Sequence, residues 1–166
     1  MPFTPFHMGP GLLIKSLFQG SFSLVVFGWA QIVMDIQPLI VLITGEGHLH
    51  GFSHTYVGAT LLALFAIVSG KYFGEWGLKF LNFKEFKIRW WVVIVSAFVG
   101  TISHVLLDSL MHADLQPFYP VDLDNPFLHW VSVSALRQFC IYTGLVGGLI
   151  MGLVIVYQRW KSTENL

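Results

Sequence analysis

The sequence predicts an all-α, multi-pass membrane bundle. Four transmembrane helices follow an N-terminal half-helix, in one integral membrane domain over residues 1–166. Three observations carry this expectation. Hydrophobic residues make up 55% of the chain and charged residues 11%, against about 25% charged in ordinary soluble domains. Four apolar stretches are each long enough, at 1.5 Å per residue, to cross a hydrocarbon core of roughly 30 Å. Basic residues are also one-sided. Lys71, Lys79, Lys84, Lys87 and Arg89 flank one loop, Arg159 and Lys161 follow the last span, and the opposite loops at 45–55 and 113–132 have none. By the positive-inside rule those two loops face outward and the C-terminus is cytoplasmic, in a cell membrane that would be the inner one in a bacterium.

The elements follow in order. Residues 2–11 are dense in Pro, Gly and Phe, an irregular lead-in that sets His7 just ahead of a helix starting near Pro10. This N-terminus has no basic start before an apolar run, so it does not read as a cleavable signal. The run 11–19 covers only about 14 Å at 1.5 Å per residue and reads as a half-helix or re-entrant element. Ser21 or Ser23 caps the first full span, which ends near Ile43 or Thr44 and carries one acidic residue, Asp35. Pro38 removes the amide that would bond the Met34 carbonyl, so a kink is expected beside that carboxylate.

The loop GEGHLHGFSHT gathers His48, His50 and His54 at the mouth of the next span, which Ser53 caps and which continues to about Tyr72. From Phe73 to Lys87 aromatics interleave with lysines, the pattern of a short interfacial segment. The third span runs from Arg89 to His112. Residues 113–132 then carry Asp114, Asp122 and Asp124 with three prolines. The last span, 133–157, has Gly144, Gly148 and Gly152 at four-residue spacing, a face for close helix approach that could also join copies of the chain.

Within GTISHVLLDSLMH, residues 100–112, His104, Asp108 and His112 recur every four residues and share one helical face. An Asp in the bilayer costs roughly 2.5 to 3.5 kcal/mol on insertion scales, and by default marks a functional site with partners elsewhere. Rise per residue supplies the partners. Asp35 lies about 18 Å from Ser23, His104 about 22 Å from Arg89 and His7 about 18 Å from Gln19, at 1.5 Å per residue. His54, at the outer mouth of its span, reaches the same level. Four segments thus bring ionisable groups to one depth in the outer half of the membrane.

Imidazole and carboxylate without thiolate suit zinc, with manganese or iron as alternatives. The lone Cys140 excludes both a Cys-based zinc site and an intramolecular disulfide. His7 alone reads equally as a helix-to-helix hydrogen-bond partner or a ligand. His112 reads as a ligand of a second ion or as a helix end, and His48, His50 and His129 as solvated loop residues, of which His48 or His50 could serve the site. Arg137 reads as a salt-bridge partner of Asp114, Asp122 or Asp124, or as a phosphate clamp. A zero net charge with no Lys/Arg-rich block argues against nucleic acid as a partner.

The ordered motifs HMGPG at His7, MDIQP at Asp35, HGFSHT ending at His54 and Thr55, and SHVLLD at His104 to Asp108 resemble the YdjM-like family of membrane-bound, metal-dependent hydrolases. The order His, Asp, His, HxxxD is also similar to the zinc cluster of secreted zinc-dependent phospholipase C enzymes. That likeness implies one ion on Asp35, His54, His104 and Asp108, with Asp108 bridging to a second bound by His7. The chain has Ile-Gln-Pro after Asp35, where some family members carry a further acidic residue and histidine, and it has no late HxxxE pair. One or two ions are therefore expected rather than three.

The function expected is a phosphoesterase acting on a lipid or lipid-linked phosphate from the outer face. Asp35 would orient or deprotonate water and Arg137 would offset phosphate charge. The alternatives are a protein that binds or conducts metal ions or protons without catalysis, and a structural protein that packs through its glycine face. Conduction would need polar groups continuing inward, and there the spans offer only Gln31 and Ser96.

Overall fold

The computed structural model describes residues 4–80 and 87–164, and the regular structure there is entirely helical. The helices are α1 (Thr4–Phe18), α2 (Leu24–Met34), α3 (Ile36–Thr44), α4 (Tyr56–Phe80), α5 (Trp90–Ser109) and α6 (Val133–Glu164). Helices α2 and α3 are the two halves of one broken span. With α4, α5 and α6 they make four spans long and apolar enough to cross a membrane.

Helix α1 has 15 residues, about 22 Å at 1.5 Å per residue, and is too short to cross. It begins at Thr4 rather than near Pro10, so His7 sits on a helix instead of an irregular lead-in. Pro10 lies inside that helix and removes one amide donor. Packing on α6 outweighs the loss. Gly9 lies so close to the Cys140 carbonyl that no side chain could fit between them, and a Cβ on Gly147 would meet the Leu13 nitrogen at 2.6 Å. Gly144 faces the Gly9 Cα, whereas Gly152 faces open space. The small-residue face of α6 therefore serves α1 within the chain, through Gly144 and Gly147.

Ser23 caps α2, its Oγ accepting from the Val26 amide at 3.4 Å. The expected break falls at Asp35. Its amide reaches back to the carbonyls of Gln31 and Ile32, and the helix resumes when Leu39 donates to the Asp35 carbonyl at 3.0 Å. Pro38 cannot donate between the two halves. Gly45 closes α3 at φ 73, donating to the Val41 carbonyl at 2.8 Å, a left-handed position that glycine adopts without a Cβ penalty.

Thr55, not Ser53, caps α4: its Oγ1 accepts from the Gly58 amide at 2.9 Å. The helix continues past Tyr72 to Phe80, so residues 73–80 are part of the span rather than a separate interfacial piece. Lys71 pairs with Glu75 at 2.5 Å. Lys71 also donates to the Ile88 carbonyl, and Glu75 accepts from the Ile88 amide, which ties the end of α4 to the start of α5. Lys84 and the rest of the stretch 81–86 lie outside the described residues.

Helices α2, α4 and α5 pack together, and α1 lies chiefly on α6 while also touching α2 and α5. Buried small residues on α4, among them Ala59, Ala63, Ala66 and Gly70, allow close approach. At Gly100 on α5 a Cβ would meet the Ala30 Cβ at 2.8 Å and the Phe27 carbonyl at 3.1 Å. That contact presses α5 against α2 just below the ionisable residues. Helix α6 turns Leu145, Leu149, Leu153 and Val156 outward, as lipid-facing residues should be.

Candidate metal centre

The breaks in regular structure are where the functional side chains emerge. Asp35 stands at the α2–α3 junction, and His54 ends the 3-10 turn Phe52–His54 that leads into α4. His104 and Asp108 are one turn apart on the buried face of α5, and His7 comes across from α1. His54, His104 and Asp108 are fully buried and His7 nearly so, while Asp35 is partly open.

All five meet. His104 Nε2 lies 3.3 Å from Asp35 Oδ1 and 3.2 Å from Asp108 Oδ2. His54 Nε2 lies 3.5 Å from Asp108 Oδ2 and 4.0 Å from Asp35 Oδ1. On the other side of the same carboxylate, His7 Nε2 lies 3.4 Å from Asp108 Oδ1. The two oxygens of Asp108 therefore look toward different histidines, as the implied bridging role requires.

The donor set and its spacing fit an ion. Ligand bonds of about 2.0 to 2.2 Å in a tetrahedral array leave neighbouring ligand atoms roughly 3.3 to 3.6 Å apart, and four of the five separations fall within 0.1 Å of that range. Buried polar atoms in folded proteins normally have hydrogen-bond partners. Here His54 Nε2, His104 Nε2 and both oxygens of Asp108 are buried with none. An apolar bundle would not collect these atoms around one point unless something else satisfied them.

Two neighbours hold the histidines in place. Gln31 Oε1 accepts from His104 Nδ1 at 2.6 Å, and Gln31 Nε2 donates to the Gly100 carbonyl at 3.0 Å. Ser53 Oγ is 2.8 Å from His54 Nδ1. In both cases the Nδ1 contact leaves Nε2 as the ligand atom, the outer-shell arrangement that metal-binding histidines commonly show. Sequence reasoning gave neither residue this role. The one signal was Gln31 standing one turn before Asp35 in an otherwise apolar helix.

The histidines of uncertain standing separate clearly. His50 is buried and its Nδ1 lies 2.8 Å from Asp114 Oδ2, while its ring stacks on His112 with centroids 4.1 Å apart. His112 lies in the turn after α5, its amide donating to the Asp108 carbonyl. Three groups have ligand atoms within 4.8 Å of one another: His7, His104 and Asp108; Asp35, His54 and His104; and His50, Asp108 and His112. His48 and His129 are exposed and belong to none of the groups found among the described residues. Arg137 is exposed on the first turn of α6 and forms no ion pair with the described carboxylates, Asp114, Asp122 and Asp124 included.

Two of these groups stand outside the spans and have shifted titrations. Burial first, and then the neighbouring His50, hold His112 below the ordinary imidazole value of 6.5. Burial alone would raise Asp114, but the hydrogen bond and charge of His50 outweigh it and hold the carboxyl below its ordinary range.

A profile of the family described as YdjM inner membrane protein matches residues 12–164, a stretch that includes Asp35, His54, His104 and Asp108 and begins after His7. No curated protein and no solved structure matches the chain.

Proposed function

Because this chain belongs to the YdjM inner membrane protein family, and because its spans close around a buried ligand set, we propose that it is a membrane-embedded, metal-dependent hydrolase of a lipid or lipid-linked phosphoester. The observation that carries the reading is where the cluster opens. A cavity of about 550 Å³ beside α2 and α3 is lined by the apolar Ile32, Ile36, Leu39 and Leu42 together with the polar Asp35, His50, His112 and Asp114. A molecule with an apolar tail and a phosphate headgroup would match such a mixed lining.

His7, Asp35, His54, His104 and Asp108 would hold one or two divalent ions, zinc first by donor chemistry. Such an ion supplies Lewis-acid polarisation of a phosphoryl oxygen and lowers the pKa of water. Asp35 is the cluster carboxylate that also lines the cavity, so it is the group placed to orient or deprotonate the attacking water. Asp108, fully buried between three histidines, is confined to ligation. Arg137, the only basic residue between Arg89 and Arg159, is the candidate to offset charge on a phosphate. The one-sided lysines and arginines orient the site outward and the C-terminus to the cytoplasm.

The test is an assay of purified, metal-loaded protein with lipid phosphates, lipid pyrophosphates and water-soluble phosphoesters, with and without chelator. Chelator-sensitive cleavage of a lipid substrate is expected, and it should fall in Asp35→Asn. Cleavage of the soluble set alone would reject the lipid assignment, and no cleavage by fully loaded protein would favour the non-catalytic alternative. Arg137→Ala, with unchanged metal content, isolates the contribution of that side chain.

A further inference from the structure

We propose that His50, His112 and Asp108 form a second, outer divalent-cation site, distinct from the positions that Asp35, His54, His104 and His7 define. It rests on ligand geometry and not on the hydrolase reading.

Two segments that are far apart in sequence build it: the loop before α4, which carries His50, and the end of α5 with the turn after it, which carry Asp108 and His112. His50 has its Nδ1 against Asp114 Oδ2 at 2.8 Å. A carboxylate at Nδ1 keeps the proton there and leaves the Nε2 lone pair free for a cation, the carboxylate–histidine–metal pattern. His50 is nine-tenths buried. The His112 ring lies against that of His50, tilted by 31°, and its Nε2 is buried with no hydrogen-bond partner. Both oxygens of Asp108 are in the same condition.

The three side chains offer ligand atoms that all lie within 4.8 Å of one another. Their backbone is fixed independently of any ion. Asn125 Nδ2 donates to the carbonyls of Ser109 and His112, at 2.8 and 3.1 Å, and the His112 amide donates to the Asp108 carbonyl at 2.9 Å. The turn that carries His112 is therefore set by the loop that follows. His50 and Asp114 border two cavities, the one along α3 and a second of about 370 Å³ beside His48 and Tyr119, which gives a cation a route in. Two imidazoles and a carboxylate suit zinc, cobalt or manganese.

The experiment measures ions per chain. Full-length protein purified without chelator is equilibrated with Zn²⁺ or Co²⁺, and bound metal is counted by mass spectrometry in folded, monodisperse fractions. Wild type should hold one more ion than either His50→Ala or His112→Ala, and His48→Ala should match wild type. Asp114→Asn should keep the full count at saturation, with one ion bound about 10- to 100-fold more weakly, the usual effect of removing an outer-shell partner. If His112→Ala fails to fold, His50→Ala and Asp114→Asn give the same reading. Unchanged metal content and affinity in the folded variants would overturn the outer site while leaving the inner one standing. Loss of all metal from His50→Ala would overturn it as well, by making the cluster a single site. A wild type that binds no metal would remove both sites.

Discussion

Replacing Gln31 with methionine tests whether His104 is a positioned ligand. Gln31 is fully buried, accepts a hydrogen bond from His104 Nδ1 at 2.6 Å and donates from Nε2 to the Gly100 carbonyl at 3.0 Å. Methionine keeps the length and apolar volume and deletes both hydrogen bonds. Two consequences separate. Without metal, His104 Nδ1 is left unpaired in the interior, at about 1 to 3 kcal/mol of stability for such a group, while the Gly100 carbonyl keeps the Ser103 hydroxyl at 3.1 Å. With metal, loss of an outer-shell partner weakens affinity about 10- to 100-fold, which is about 1.4 to 2.8 kcal/mol. A competition titration against a chromophoric chelator reads the second quantity, and thermal unfolding with and without metal reads both. At fixed free metal the stabilisation by ligand should shrink by the same 1.4 to 2.8 kcal/mol or so. Gln31→Glu keeps an acceptor for His104 and should bind metal more tightly than Gln31→Met. A folded Gln31→Met that binds metal as tightly as wild type would refute the reasoning.

Gly147→Leu should lower the unfolding temperature sharply, by about 1 to 3 kcal/mol of overpacking, because its Cβ would strike the α1 backbone at Leu13; Gly152→Leu, facing open space, should be silent. Metal-free protein should lose stability as pH falls through about 6.5, because the folded pKa of His112 lies below that value and the unfolded chain takes up the proton first; acid unfolding monitored by circular dichroism checks this, and His112→Gln should flatten the slope. Single cysteines at Leu123 and Thr163, in a Cys140→Ala background, should label from opposite sides of the membrane, Leu123 from outside. Labelling of both from one side would reject the assigned topology.

What the sequence disclosed depended on how local each signal was. His104, Asp108 and Asp35 were legible because a charged or imidazole group in an apolar helix has few bland explanations, and helix rise places it in depth. The broken span was legible from Pro38. The start of α1 was not, because Pro5, Gly9 and Pro10 all lower helix propensity and only the packing of α1 on α6 overrides them. The α4 cap lies two residues later than expected because Ser53 sits inside the 3-10 turn Phe52–His54, which leaves Thr55 directly before the helix. The expected end of α4 near Tyr72 fell short of Phe80, and Gly70 and Gly74 are buried against neighbouring helices around that point. The supporting contacts were illegible for a simpler reason. Gln31 lies 73 residues from His104, and His50 lies 64 from Asp114.

X-ray absorption spectroscopy of the metal in protein purified without chelator tests the central claim, that this cluster holds a divalent ion, most directly. The account predicts a metal edge with a first shell of nitrogen and oxygen at about 2.0 to 2.2 Å and no sulfur at about 2.3 Å. Outer-shell scattering should show at least two imidazoles, and His104→Ala should remove the part of the signal that comes from the inner position. Metal-free protein under those conditions, or a metal whose spectrum is unchanged by His104→Ala, would contradict it.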